Sequence, residues 1–177
     1  MDLKSCLMVR RAMDAGVVEE AEVLGDGIQR DDAVRRAVLI EPPPAIITDI
    51  ETRLDACQAD VAAFLEVQLG PREGAGFIRY YAGGFYGPHR DRGEEGAWVP
   101  AANRSVALVT FLNSSRDTVV DGDFQGGVLR LIFRDQVIDV APEAGLLVAF
   151  HADVLHEVTE VRGGSRDVIV DWFSKRR

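Results

Sequence analysis

The sequence predicts a mainly β fold: a double-sheet jelly roll with N-terminal buttressing helices, α+β in order. Two observations predict it. From Gly76 onward, short runs rich in β-branched and aromatic residues are separated by Gly, Asp, Asn and Pro, the texture of a sandwich or barrel. Before Gly76, apolar residues recur at helical spacing in two segments. Helices come first and strands second, which sets the helices against one face of the β-domain. At 177 residues the chain has the size of one domain with a real core. Residues 1–75 read as helical support and first strand, and residues 76–177 as the jelly-roll core.

In order, Leu3 to Met13 reads as a short helix stopped at Gly16. Gly25 to Asp32 is loop-like. Arg36–Ile40 reads as a strand ended by Pro42-Pro43-Pro44. Thr48-Asp49-Ile50-Glu51 has the capping-box pattern. It predicts a helix running to about Leu69 and ended by Gly70-Pro71. Ile50, Leu54, Cys57, Val61, Phe64/Leu65 and Gln68/Leu69 would form its buried stripe. The strand-like runs that follow are Phe77–Ala82, Ser105–Leu112, Val128–Phe133, Val137–Val140, Leu146–Phe150, His156–Val161 and Asp167–Phe173. The region around His89 is a further strand candidate.

Composition narrows the function. The formal net charge of -9 disfavours nucleic acid or an anionic membrane surface as main partner. Two cysteines, Cys6 and Cys57, make no disulfide framework or thiolate metal site. Together with the lack of a signal-peptide h-region, they suit a reducing, cytoplasmic setting. No apolar run approaches the roughly 20 residues that span a bilayer.

The chemistry concentrates around His89-Arg90-Asp91. In an extended segment His89 and Asp91 share a face, so an imidazole and a carboxylate can reach one metal. A third ligand must come from elsewhere, and the other histidines are His151 and His156. Two His and one carboxylate on one side of a metal characterise non-haem iron(II) oxygenases. His151-Ala152-Asp153 is a second His-x-Asp, in a segment that reads as a connecting loop. His156 opens a strand-like run, and a ligand needs a rigid element, so His156 is preferred. Ten residues on, Arg166 precedes an otherwise apolar and acidic strand. Its guanidinium could grip the far carboxylate of a small diacid.

The segment from Ile78 to Phe173 resembles the 2-oxoglutarate- and iron(II)-dependent oxygenases, in particular the prolyl 4-hydroxylase-like branch. Residues 80–91 are similar to its Tyr-x-x-Gly-Gly-x-Tyr-x-Pro-His-x-Asp. Leu112-Asn113 ends a strand as in the family, and Gly126-Gly127-Val128-Leu129 resembles its Gly-Gly-x-Leu hairpin. Pro142, Gly145, Phe150, His156-Glu157-Val158, Gly164, Arg166 and Trp172-Phe173 resemble its closing block.

The resemblance implies a double-stranded β-helix in which His89, Asp91 and His156 bind Fe(II). It implies that Arg166 binds the C5 carboxylate of 2-oxoglutarate, where collagen-type members use Lys, and that Tyr80 hydrogen-bonds the co-substrate. Thr110-Phe111 stands where oxygen-sensing members carry Tyr-Tyr, so the second hydroxyl is missing and Thr110 should point to the opposite face. Halogenases of the superfamily have a small residue in place of Asp91, so Asp91 implies hydroxylation. The implied reaction consumes O2 and 2-oxoglutarate, with ascorbate as a possible support, and releases succinate and CO2. The implied substrate is a prolyl residue or a small metabolite. The alternatives are a cupin-like metal enzyme without 2-oxoglutarate and a non-catalytic binding module. Arg92–Asn103 and Ser114–Gln125 read as specificity loops, with Trp98 and Tyr86 as candidate substrate contacts.

Overall fold

The computed structural model describes residues 1–176 except 22, 25–27, 30, 94–98 and 119–121. Helix α1 (Leu3–Asp14) is capped by Asp2, whose carboxylate accepts from the Ser5 amide at 2.7 Å. Its buried face is Cys6, Val9 and Met13. Strand β1 (Val17–Glu20) follows, then β2 (Val23–Leu24) and β3 (Ile28–Gln29), which pair with each other. The expected loop from Gly25 to Asp32 therefore contains a short strand, although several of its residues lie outside those described.

The single strand expected at Arg36–Ile40 is two, β4 (Arg35–Arg36) and β5 (Val38–Glu41), each in a different sheet. The chain changes sheets at Ala37, as strands at sandwich corners do. The capping box is unused. Helix α2 (Pro44–Ala56) starts four residues before Thr48, because a proline at the first helical position has the right φ and no amide to satisfy. Thr48 lies inside α2, its carbonyl accepting from the Thr52 hydroxyl at 2.8 Å. The expected helix to Leu69 breaks at Cys57 into α2 and α3 (Gln58–Phe64). Gly70-Pro71 belongs to β6 (Leu69–Arg72) and does not act as a helix stop. Ile50, Leu54 and Val61 are buried as the stripe requires, while Phe64 is exposed.

The remaining elements are β7 (Gly76–Tyr81), β8 (Phe85–His89), α4 (Val99–Asn103) and β9 (Arg104–Phe111), then β10 (Phe124–Gly126) and β11 (Leu129–Ile132). After them come β12 (Val137–Val140), β13 (Leu147–His151), β14 (Leu155–Val158) and β15 (Val161–Lys175). Two sheets carry the fold. The larger is ordered β1-β5-β7-β15-β9-β13, with β6 and β10 also pairing β15. The smaller is ordered β12-β11-β14-β8-β4. The named strand pairings are antiparallel, giving the expected double-stranded β-helix.

The helices cover one face of the larger sheet. Cys6, Val9, Ile50, Leu54, Ile169 and Phe173 pack in that layer. Tyr80, Phe111, Phe124, Leu129, Phe150 and Val161 fill the space between the sheets. Every residue of β9 is buried, because it has a layer on both sides. Strand β15 is the spine. Its even-numbered side chains from Arg166 to Trp172 line the space between the sheets. Ile169 and Phe173 face the helices. No helix among the described residues is long and apolar enough to cross a membrane.

Candidate metal centre and its cavity

Strands β8 and β14 are neighbours, and their register sets His89 directly opposite His156. The ring centroids are 4.2 Å apart. Asp91 is not on the strand with His89, as an extended His-x-Asp would have it. β8 ends at His89, and Asp91 lies in the bend beyond. The bend returns its carboxylate to the imidazoles, with Oδ1 3.7 Å from His89 Nε2 and Oδ2 3.6 Å from His156 Nε2. Arg104 supports the bend by donating to the Asp91 carbonyl at 3.3 Å. The three side chains offer ligand atoms within 4.8 Å of one another and could hold one metal ion.

The donor set suits a divalent metal. Each imidazole Nδ1 faces a backbone carbonyl two residues back, Gly87 at 2.8 Å and Val154 at 3.0 Å. Those contacts place the N–H on Nδ1 and leave the Nε2 lone pairs aimed at the gap beside Asp91. Burial, reinforced by His156, pushes the His89 pKa down to about 4, so its imidazole is neutral at pH 7. Tyr86 stacks on His89 with centroids 3.5 Å apart, and Phe150 meets His156 edge-on at 4.9 Å. These contacts restrain both rings.

His151 stands apart. It is the last residue of β13, paired with Val106, not part of a connecting loop. The run from Leu146 continues one residue further than its apolar pattern because β9 offers a ladder partner there. Asp153 is engaged at the surface by Arg92 at 3.1 Å. His151→Ala is therefore expected to bind metal like wild type, as titration of Mn(II) followed by electron paramagnetic resonance would show. Loss of the metal in that variant would move the site to His151 and Asp153.

A cavity of about 670 Å³ adjoins the three side chains. Arg166 and Tyr80 are buried in its wall as register partners on β15 and β7, with the guanidinium 5.0 Å from the Tyr80 ring and 5.1 Å from that of Phe111. Arg166 does not begin a strand. It sits inside β15, which starts at Val161 because β10 pairs with the Gly-rich stretch before it. The side chain is 1% exposed, and its Nε has no hydrogen-bond partner. Burial pushes its pKa down to about 10, which leaves it charged at neutral pH. Three other arginines are paired: Arg79 with Asp167, Arg104 with Glu73, and Arg130 with Asp139 and Glu157. Among the described residues no carboxylate pairs with Arg166, and a desolvated cation in that state calls for an anionic ligand. Thr110 faces a separate apolar pocket under α2, with Ile50 and Leu54, as its position on β9 predicts.

Gly127 makes room for Arg166. Its φ is +59°, and a Cβ there would lie 2.9 Å from Arg166 Cδ and 2.9 Å from a Phe124 ring carbon. Gly127→Ala combines a left-handed backbone with that clash. It is expected to cost about 2 kcal/mol and to lower the melting temperature by roughly 4–8 °C, measured by thermal unfolding.

Trp172, marked in the sequence only as part of the closing block, also lines the cavity. It follows Arg166 at an even spacing on β15, so the period-two rule alone brings it to the same cavity. Arg104 lies over its ring at 3.7 Å, and its indole Nε1 has no partner. Tyr86 lines the cavity, whereas Trp98 lies outside the described residues. Of the two expected specificity loops, the first ends in α4 and the second enters β10.

Two antiparallel sheets enclosing a His-Asp-His group that could hold a metal ion, with a buried arginine in the wall of the same cavity, define a double-stranded β-helix protein. Residues 75–174 match the 2OG-Fe(II) oxygenase superfamily, and the chain belongs to that family. Membership implies Fe(II), 2-oxoglutarate and O2 as the reacting components. A PKHD-type hydroxylase of Prochlorococcus marinus strain NATL2A is 28% identical over 100 residues, 56% of this chain and 41% of that protein. Another, from strain NATL1A, is 27% identical over 100 residues, again 56% and 41% of the two chains. The chain thus spans about two-fifths of the length of the curated relatives it matches. A Pseudomonas putida prolyl-4-hydroxylase shares the fold at a TM-score of 0.76 and 24% identity, over 100% of this chain and 89% of that one. So does a Trichoplax adhaerens prolyl hydroxylase in complex with a hypoxia inducible factor peptide fragment, at 0.72 and 18%, over 98% and 76%.

Proposed function

We propose that the chain is a 2-oxoglutarate-dependent hydroxylase in which His89, Asp91 and His156 hold Fe(II) and Arg166 and Tyr80 hold the co-substrate. The observation that carries this reading is the pairing of two halves in one cavity. One half is a neutral-imidazole and carboxylate donor set with Nε2 atoms free. The other is a desolvated guanidinium with no carboxylate of its own. Bound iron(II) would supply oxygen activation coupled to decarboxylation of 2-oxoglutarate to succinate and CO2. The residues do the rest. Asp91 contributes the single negative charge and fills the position that a halide would need. Arg166 offers two parallel donors to the distal carboxylate. Tyr80, 3% exposed, places its ring beside that guanidinium. The apolar side chains of Val168 and Val170 in the wall would keep water from the reacting centre.

A prolyl residue in a peptide is the favoured substrate, supported by structural neighbours that are prolyl hydroxylases, one of them holding a peptide. A small metabolite is the other class. The two buried clusters lie on opposite faces of the same strands β7, β9 and β15, which supports reading residues 1–177 as one catalytic domain. Free Cys6 and Cys57 support a reducing, cytoplasmic setting in which iron stays ferrous, with ascorbate as a supporting reductant. The test is succinate formation from 2-oxoglutarate by purified protein with Fe(II) and ascorbate, then turnover of Pro-containing peptides against free amino acids and metabolites. Metal binding without succinate would favour a cupin-like enzyme, and neither would favour a binding module.

A further inference from the structure

Arg166 is held on its strand by two side chains outside the cavity. Asn113, just beyond β9 and 3% exposed, brackets it: Nδ2 donates to the Ser165 carbonyl at 2.7 Å, and Oδ1 accepts from the Asp167 amide at 3.0 Å. These belong to the two peptide groups on either side of Arg166. The Leu112 amide also donates to the Asp167 carbonyl at 2.9 Å. The Asp167 side chain projects to the helix side and is fully buried. It accepts from Arg79 Nε at 2.7 Å, from Arg79 Nη2 at 3.0 Å and from Arg10 Nε of α1 at 2.8 Å. Arg79 is itself tied to Asp14 at 2.8 Å.

The register explains what this accomplishes. Asp167 faces Arg79 and Arg166 faces Tyr80, on the same two strands. The ion pair on one face of the sheet therefore fixes the alignment of the pair on the other. Buried ion pairs add little net stability over apolar replacements, and their better-attested use is to fix one arrangement. A guanidinium at the end of a long side chain is aimed only as well as its backbone is held.

We infer that Asn113 and Asp167 are positioning residues that aim Arg166 at the distal carboxylate of the co-substrate. The inference rests on the reading of Arg166 given above. It is tested on the full, Mn(II)-loaded chain by calorimetric titration with 2-oxoglutarate and with 2-oxobutyrate, which has the same 2-oxo acid head and no distal carboxylate. Asn113→Ala is expected to weaken 2-oxoglutarate about tenfold, as loss of one or two hydrogen bonds does, and to leave 2-oxobutyrate and Mn(II) affinity unchanged. Added to Arg166→Ala, it should cause no further loss, because the two act as one unit. Equal weakening of both ligands, full additivity in the double variant, or wild-type affinity for 2-oxoglutarate would each overturn the role. If Arg166→Ala loses affinity while Asn113→Ala does not, only the positioning role falls. If Arg166→Ala binds like wild type, the co-substrate reading fails and the inference with it. Should Asn113→Ala not fold, Asn113→Ser and the shape-conserving Asp167→Asn carry the same comparison.

Discussion

Asp91→Ala is expected to abolish turnover and to lower Fe(II) or Mn(II) affinity by more than the roughly 10–100-fold that loss of an outer-shell partner costs. Asp91 supplies the only carboxylate among the three grouped ligands, and without it two neutral imidazoles face a divalent cation. Its carboxylate oxygens lie 3.6 and 3.7 Å from the two Nε2 atoms, close enough for one ion to touch all three. His156→Ala should behave similarly, since its side chain is the least exposed of the three. The measurement is the concentration of free Mn(II) by electron paramagnetic resonance, with succinate formation followed in parallel. Wild-type metal affinity in Asp91→Ala would remove the three-residue assignment.

The centre was legible in the sequence because its two halves depend on local spacing. His89 and Asp91 are two residues apart, and any tight bend or strand keeps them together. His156 was legible because a ligand needs a strand and its run looks like one. Arg166 stood out as a cation on an apolar strand. What the sequence did not show depends on partners far away in the chain. Nothing local marks Ala37 as the point where the chain changes sheets. Thr48 has the residues of a cap, yet Pro44 starts the helix first. Strands β6 and β10 exist because β15 offers edges to pair with, and β15 is long for the same reason. Trp172 and Asn113 show their roles only once register is known. One adds its indole to the cavity wall, and the other holds both peptide groups beside Arg166.

Arg166→Ala is expected to weaken 2-oxoglutarate binding by about two to three orders of magnitude, while leaving the metal bound. Removing one partner of a buried ion pair costs about 3–5 kcal/mol, and each 1.4 kcal/mol is tenfold in affinity. A loss of that size is expected because Arg166 is 1% exposed and packs against the rings of Tyr80 and Phe111. Arg166→Lys keeps the charge but not the two parallel donors, and should lose less. That ranking follows from the cavity as well as from the lysine of collagen-type relatives, since a lysine amine can approach the same carboxylate from one point. Calorimetric titration of 2-oxoglutarate into the Mn(II)-loaded, oxygen-inert protein measures both variants. Three other arginines offer no easy substitute. Arg79 is bound to Asp167 and Asp14, Arg104 to Glu73, and Arg130 to Asp139 and Glu157. Recruiting any of them would unpair a carboxylate, and for Asp167 that carboxylate is fully buried. A wild-type dissociation constant in Arg166→Ala would therefore count against 2-oxoglutarate as the co-substrate, because Arg79, Arg104 and Arg130 could not take over without breaking ion pairs that the fold already uses.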